Sequence, residues 1–173
     1  VIDSGSWDKT IKIAERAGAK VFLSEKILDK KKIHRGKGEN LWKSLHVMDG
    51  DIIIWLDADI KNIDKKMVNG LVGPILANHD IVFVKGLFER VTKIGRKIVP
   101  AESGRTTEIL VRPFLNLFYP ELAGFVQPLS GQVCGKRKVF ENLKFYSGYG
   151  VEIGHLIDIE KKYRLNAMAQ TYL

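Results

Sequence analysis

The sequence has little of what disulfide-linked or membrane-spanning proteins need. Its 173 residues include one cysteine, Cys134, which excludes an internal disulfide framework and a metal site built from cysteines. No apolar run approaches the ~20 residues of a membrane helix, and the sequence holds no repeat or low-complexity segment. No signal peptide is visible, so we expect a cytoplasmic protein without membrane partners.

Acidic residues are fewer than basic ones, which leaves a formal net charge of +8. Such a surface can bind nucleic acid or attract a phosphorylated small molecule. The lysines concentrate in residues 26–37 and 136–138, and neither stretch is interleaved with the aromatic residues typical of a nucleic-acid platform. We therefore expect a phosphorylated small molecule rather than nucleic acid as the partner, with residues 30–32 (KKK) in a solvated loop.

Apolar periodicity and turn signals alternate along the first third of the chain. They predict a strand ending at residue 2, a helix at 9–17, a strand at 19–23, a helix at 38–48 and a strand at 51–56. Such alternation favours a parallel sheet with crossover helices. Later segments predict helices at 64–76, 106–118 and 151–163, strands at 80–87 and 165–172, a strand or hairpin partner at 92–99, and an apolar strand or loop at 125–134. We expect one α/β domain over residues 1–173, with a mixed, mainly parallel sheet.

Two carboxylates, Asp57 and Asp59, follow the apolar run at residues 51–56. Acids at the end of a buried strand are costly to leave unpaired, and oxygen ligands suit Mg²⁺ or Mn²⁺. Acids also cap strands or open helices, so the pair alone leaves both interpretations open. Ligands bind beyond the carboxyl ends of strands in open sheets, so Asp3 and Ser4 could face the same site.

Further segments could act with these acids. Residues 104–107 (GRTT) open a helical pattern, where Arg105 and the hydroxyls would make an anion cradle or, alternatively, a helix N-cap. Residues 35–39 (RGKGE) also open a helix; they could bring the backbone and Lys37 close to a ligand, or form a flexible turn. Glu152 stands at another helix start, as a capping group or an acceptor of sugar hydroxyls. The four histidines show no shared metal spacing, and Cys134 reads as a small core residue.

Taken in order, these segments resemble the glucosyl-3-phosphoglycerate synthase family of retaining glycosyltransferases with the GT-A fold, which is Rossmann-like. The resemblance covers essentially the whole chain. It rests on residues 1–6 (VIDSGS), 36–42 (GKGENLW), 57–59 (DAD), 104–108 (GRTTE), 120–122 (PEL), 127–131 (QPLSG) and 149–154 (YGVEIG).

The resemblance implies transfer of glucose from a nucleoside diphosphate glucose, chiefly UDP-glucose, to 3-phosphoglycerate, with Mg²⁺ or Mn²⁺ as cofactor. Its implied donor contacts are Ser4, Lys37, Asp57, Ala58 and the backbone of Leu129, with Asp59 as the metal ligand. Its implied acceptor and glucose contacts are Gly104, Arg105, Thr107 and Glu152. Of these, Glu152, Arg105 and Asp59 are the residues implied for catalysis.

Departures from the family pattern leave other hypotheses open. The base-clasping N-terminal strand and a metal-binding histidine of the family lie outside residues 1–173, so we expect a domain incomplete at both ends. Gln132 stands where the family usually has glutamate, and we assign it no role. A mannosyl donor, a lipid phosphate acceptor or a non-catalytic nucleotide-binding remnant are the alternatives. Members of the family often form dimers, so a homodimer is a further expectation.

Overall fold

A short parallel pair of strands opens the fold. The computed structural model describes residues 1–28, 36–94, 97–101 and 104–173. Strand β1 (Ile2–Asp3) pairs in parallel with β2 (Phe22–Leu23), and helix α1 (Thr10–Arg16) connects them. Asp8 starts the helix, because its carboxylate accepts a hydrogen bond from the Thr10 amide at 2.8 Å.

The central sheet has four strands in the order β3, β7, β4, β8. They are β3 (Ile52–Trp55), β4 (Phe83–Leu87), β7 (Val133–Lys136) and β8 (Met168–Tyr172). Strand β7 runs antiparallel to β3 and β4, and β8 runs parallel to β4. Three of the four strands point the same way, but two of the three strand pairings are antiparallel. The sheet is therefore mixed, as predicted, while its pairing is not mainly parallel.

Side chains that alternate along the strands build a core on each face of this sheet. Ile53, Trp55 and Phe83 pack on one face, against helix α6 (Gly150–Tyr163) and α5 (Arg137–Glu141) among others. Val84 and Cys134 pack on the other, against helix α3 (Lys65–Ala77). Both faces are covered, as expected of an α/β fold.

The remaining elements are helix α2 (Lys37–Ser44), the antiparallel hairpin β5 (Arg90–Ile94) with β6 (Lys97–Ala101), and helix α4 (Arg112–Phe118). A π-helical turn at Thr107–Val111 leads into α4. Pro113, at the second position of α4, has no N–H to donate to the preceding turn, and the helix predicted at 106–118 is divided into that wide turn and α4.

Several predicted boundaries differ from the structure. The strand predicted at 19–23 pairs only over Phe22–Leu23, and the helix predicted at 38–48 gives way to turns after Ser44. Helix α5 was not predicted, because it has only five residues. Among the described residues, β1 and β2 form a sheet of their own instead of extending the central one. The predicted loop at residues 30–32, Arg35 and His34 lie outside the described residues.

No helix in the described part of the chain is long and apolar enough to cross a bilayer.

Candidate active site

Three side chains from distant parts of the chain meet at one point. The Lys37 ammonium, at the start of α2, lies 2.6 Å from Asp57 Oδ1 and 2.5 Å from Glu152 Oε1. Asp57 follows the end of β3, and Glu152 stands in the first turn of α6. The exposed fractions of the side chains are 20% for Lys37, 33% for Asp57 and 10% for Glu152. We call these three residues the Lys37 cluster.

The first turn of α2 and the segment just before α6 are held together by their backbones. The Gly38 amide donates a hydrogen bond to the Gly148 carbonyl at 3.1 Å. A Cβ at Gly38 would come within 1.9 Å of the Tyr146 carbonyl oxygen, so only glycine permits this approach. The glycine-rich start of α2 thus brings Lys37 to Glu152, and it is a packed contact instead of the flexible turn considered above.

The antiparallel strand β7 places a further segment beside the Lys37 cluster. Because β7 starts beside the end of β3, the residues just before it lie near Asp57. A Cβ at Gly131 would lie 2.2 Å from Asp57 Oδ2 and 2.4 Å from Lys37 Nζ. Gln132 Nε2 donates to Asp57 Oδ2 at 3.3 Å, and Ser130 Oγ donates to Gln132 Oε1 at 2.9 Å. Gln132, to which we assigned no role from the sequence, therefore orients Asp57.

The Lys37 cluster keeps its cation charged. Burial disfavours the ammonium form of Lys37, but the hydrogen bonds to Asp57 and Glu152 outweigh it and raise the pKa of Lys37 above its ordinary value. One cation between two carboxylates leaves a net negative charge at this point. Lys37 can still donate a hydrogen bond to a phosphate, and Glu152 and Asp57 can accept hydrogen bonds from hydroxyl groups.

Asp59 differs from Asp57 in being exposed. Both carboxylates line one open cavity beside Gln132 and Tyr172. Asp57 is already bonded to Lys37 and Gln132, whereas Asp59 has neither a hydrogen bond nor an ion pair within the described residues. No group of three or more His, Cys, Asp or Glu residues placed to hold a metal exists in the described parts of the chain.

These residues fit a metal that is shared with a ligand rather than one enclosed by protein. Mg²⁺ is commonly bound through one or two carboxylates together with substrate phosphates. Asp59 offers one such carboxylate, open to the cavity. Asp59 would hold a divalent cation, which would supply positive charge beside a diphosphate.

Ser4 is connected to the Lys37 cluster through helix α2. Asn40, one turn after Lys37, donates a hydrogen bond from Nδ2 to Ser4 Oγ at 2.7 Å. The loop that carries Ser4 is fixed by Asp3, whose Oδ1 accepts hydrogen bonds from the backbone amides of Gly5 and Ser6, each at 2.8 Å. Hydrogen bonds from Ser6, together with the Gly5 amide, hold the pKa of Asp3 below its ordinary value. One helix thus positions both predicted donor contacts, Ser4 and Lys37.

Residues 104–107 form a separate part of the candidate site. Arg105 is exposed, Thr107 is 4% exposed, and the Glu108 amide donates to the Gly104 carbonyl at 3.2 Å. Thr106 makes no capping hydrogen bond with its side chain. No hydrogen bond or ion pair connects Arg105 to the Lys37 cluster within the described residues.

The other predicted residues divide into exposed and packed ones. Ala58 is exposed in the turn between the two aspartates. Leu129 is partly buried and packs against the core. Cys134 is fully buried, and burial raises the pKa of its thiol to about 12, which agrees with a core residue and excludes a ready thiolate.

Lys85 is a residue that sequence reasoning missed. It lies in β4 and lines a small cavity with Lys37, Glu152 and His155. A lysine inside the apolar stretch 81–87 (IVFVKGL) was the available signal, since a charged residue is almost never fully buried without a partner.

Comparisons with known proteins identify the family of this chain. Residues 1–122 match the family described as glycosyl transferase family 2. The glucosyl-3-phosphoglycerate synthase of Petrotoga mobilis (strain DSM 10674 / SJ95) is 51% identical over 173 residues, which cover 100% of this chain and 53% of that protein. The synthase of Mycobacterium tuberculosis (strain CDC 1551 / Oshkosh) is 40% identical over 176 residues, covering 100% of this chain and 54% of that protein.

Solved structures of the M. tuberculosis synthase are similar as well. Its complex with Mn²⁺, UDP-glucose and phosphoglyceric acid has a TM-score of 0.88 and 40% identity, covering 99% of this chain and 57% of that one. Its complex with Mn²⁺, UDP and glucosyl-3-phosphoglycerate has the same TM-score and identity, covering 100% and 57%. The predicted GT-A-like α/β fold and the family resemblance are thereby confirmed, and the chain spans about half the length of the curated relatives it matches.

Proposed function

Because this chain belongs to glycosyl transferase family 2, we propose that its protein transfers glucose from UDP-glucose to 3-phosphoglycerate with retention of configuration. The product would be glucosyl-3-phosphoglycerate. The Lys37 cluster carries this proposal: its cation and carboxylates can take a phosphate and sugar hydroxyls side by side. The 51% identity to the P. mobilis synthase along the whole chain supports the choice of substrates.

On the donor side, we assign Ser4, Asp57 and Ala58 to the nucleoside part of UDP-glucose. Lys37 would contact the diphosphate, since its ammonium is a fixed cation at a helix start. Glu152 and the backbone of Leu129 would contact the glucose. The hydrogen bond between Ser4 and Asn40 supports this grouping, because α2 then carries contacts for both ends of the nucleotide.

On the acceptor side, we assign Gly104, Arg105 and Thr107 to 3-phosphoglycerate. Arg105 is a charged donor without an internal partner among the described residues, and a guanidinium matches the geometry of phosphate and carboxylate. The helical turn begins at Arg105, and the N-terminal amides and dipole of a helix favour an anion at this position. A small doubly anionic acceptor is therefore favoured over a lipid phosphate.

The residues then divide the chemical work. A divalent cation held by Asp59 would stabilise the negative charge that develops on the leaving diphosphate. Lys37 would add a second positive charge there, and Arg105 would hold the acceptor in line with the anomeric carbon. Glu152 is bonded to Lys37 and is thus poorly placed as a free nucleophile. This favours front-face attack, in which the proton of the attacking 3-phosphoglycerate hydroxyl passes to the oxygen of the leaving diphosphate.

We further propose that residues 1–173 belong to one domain and that the protein is cytoplasmic and forms a homodimer. The lone buried Cys134 suits a reducing compartment, and the substrates proposed here are phosphorylated metabolites.

The test is product formation by the complete gene product with UDP-glucose, 3-phosphoglycerate and Mg²⁺, compared with its Asp59→Ala variant. We expect glucosyl-3-phosphoglycerate from the parent and a rate lower by about 10²- to 10³-fold from the variant. Asp80→Ala is the matched control, because Asp80 is an exposed acid away from the cavity, and it should retain the parental rate. Bound UDP-glucose without product would exclude 3-phosphoglycerate, and GDP-mannose as a competing donor tests the mannosyl alternative.

A further inference from the structure

Lys85 is a buried cation for which the fold offers no direct partner. It is 2% exposed, and its neighbours in β4, Phe83 and Val84, are 1% and 0% exposed. Within the described residues, no carboxylate lies within ion-pair distance of its ammonium and no hydrogen bond to it is found; the Phe83 ring centroid is 5.9 Å away. Burying an unpaired ammonium costs several kcal/mol. Stability of the fold therefore does not explain a lysine at this position.

The ammonium belongs to a small cavity between β4 and α6. Lys37, Glu152, Ser130 and His155 lie on the wall of the same cavity, which has room for about one water-sized group. His155 Nε2 is buried without a hydrogen-bond partner in the described structure. Burial and the charge of Lys85 lower the pKa of His155 to about 3. A hydrogen bond to the backbone of Lys144 raises this pKa but is outweighed, so the ring is neutral. The cavity thus contains a cationic donor, the Lys85 ammonium, and a neutral acceptor, His155 Nε2, and Glu152 lines the same cavity.

A bound diphosphate would compete with Glu152 for the charge of Lys37. Its ammonium already divides its hydrogen bonds between Asp57 and Glu152. A diphosphate brings further negative charge to Lys37 and weakens the hold on Glu152. Lys85 lines the same cavity as Glu152, and the charge of Glu152 favours its ammonium form, so Lys85 is a second cation available to that carboxylate.

We propose that Lys85 is a positioning residue for the donor sugar: its ammonium holds the Glu152 carboxylate in place for glucose once the donor diphosphate has engaged Lys37. This inference rests on the proposed function, because it takes Lys37 as a diphosphate contact and Glu152 as a glucose contact. It predicts that Lys85 matters for the sugar part of the donor and for turnover, and little for the nucleotide part.

The experiment compares Lys85→Met with the parent in the complete gene product, using UDP and UDP-glucose as separate ligands. Methionine replaces the buried charge with a side chain of similar length, so the variant should be at least as thermally stable. We expect UDP to bind within about twofold of the parent, UDP-glucose to bind about tenfold more weakly, and kcat to fall by about 10²-fold. Equal weakening for both ligands would show a structural role and overturn the proposal. Lys85→Gln repeats the comparison if the methionine variant does not fold.

A double-mutant cycle with Glu152→Gln tests whether Lys85 acts through Glu152. The loss of kcat in the double variant should be close to that of the more damaged single variant, because both changes remove one function. Multiplicative losses would contradict the proposal. A parent that binds UDP-glucose but makes no product from 3-phosphoglycerate would overturn only the acceptor assignment. A parent that does not bind UDP-glucose would overturn the proposed function and this inference together.

Discussion

The Lys37 cluster and residues 104–107 contrast in how their charges are satisfied. In the cluster, one ammonium bonds two carboxylates at 2.6 and 2.5 Å, and backbone contacts of Gly38 and Gly131 leave no space for a side chain. In the other segment, Arg105 is exposed and has neither an ion pair nor a hydrogen bond among the described residues. The first region is assembled before a ligand arrives, whereas the second offers an unsatisfied cation.

The difference indicates how each region would use binding energy. A preassembled cluster has already lost the conformational entropy of its side chains during folding, so a ligand gains its contacts at little further cost. A free arginine must be ordered by the ligand itself, which lowers affinity but lets the acceptor leave easily. We therefore expect changes in the cluster to affect turnover most and changes at Arg105 to affect acceptor affinity.

Gly131→Ala is the substitution that we expect to disturb the Lys37 cluster most. The new methyl group would lie 2.2 Å from Asp57 Oδ2 and 2.4 Å from Lys37 Nζ, so the cluster must open. Because a displacement of about 1 Å can cost 10²-fold in rate, we expect kcat to fall by about that factor. Glucosyl-3-phosphoglycerate formation under saturating substrates measures it.

Gly73→Ala is the control for that substitution. A Cβ at Gly73, inside α3, meets nothing within 4 Å apart from its chain neighbours, so this variant should keep the parental rate. Because Gly73 precedes Pro74, where a side chain is disfavoured in a helix, we expect no gain in stability. Parental activity in Gly131→Ala would mean that the tight cluster is not needed for catalysis.

A second variant acts on the open region. Arg105→Ala should raise KM for 3-phosphoglycerate by about 10- to 100-fold, because one charge-assisted contact to the anion is lost. KM for UDP-glucose and the melting temperature should hardly change, since Arg105 has no internal partner among the described residues. Arg16→Ala removes another exposed arginine, in α1, and controls for the loss of net charge. An equal rise in KM for 3-phosphoglycerate in Arg105→Ala and Arg16→Ala would mean that Arg105 acts only through long-range electrostatic attraction.

The smallest effect concerns the buried cation. Burial lowers the pKa of Lys85 from its ordinary 10.5 to about 8, with the charge of Lys37 acting in the same direction and Glu152 and Asp57 opposing it; His155, also facing it, is neutral. Between about pH 8 and 10.5 the unfolded chain binds the additional proton, so the parent gains stability as pH rises. Lys85→Met lacks this gain.

The melting temperatures of the two proteins should therefore converge by on the order of 5 °C across that pH range. Differential scanning calorimetry on both proteins measures the difference. Parallel curves from pH 8 to 10.5 would show that Lys85 titrates normally. An Arg105→Met variant, in which an exposed charge is removed, should follow the parent curve throughout.

The sequence predicts the alternation of the fold well. Apolar periodicity locates α3, α6 and β3 to within a residue or two, because each buries a regular stripe of side chains. Their position at strand ends and helix starts leaves the Asp57–Asp59 motif and the residues around Lys37 and Glu152 open between a site and caps or turns. The family resemblance is what predicts that they belong to one site. The structure places Lys37, Asp57 and Glu152 in contact, while the roles assigned to them remain predictions.

Other features depend on tertiary contacts that no local pattern records. The reversed direction of β7 follows from pairing with two distant strands, and it decides that Gln132 reaches Asp57. The burial of Lys85 depends equally on how α6 covers the sheet. Local sequence favours β1 and β2 as members of one parallel sheet with β3, but their hydrogen bonds form a separate pair.

The backbone contact between Gly38 and Gly148 has an evolutionary consequence. Since the first turn of α2 and the segment just before α6 touch without any side chain between them, neither can change its course independently. A lineage that altered its sugar preference through the loop ahead of α6 would have to accept a matching change at the start of α2. These two stretches, far apart in the gene, should be inherited and replaced as one unit.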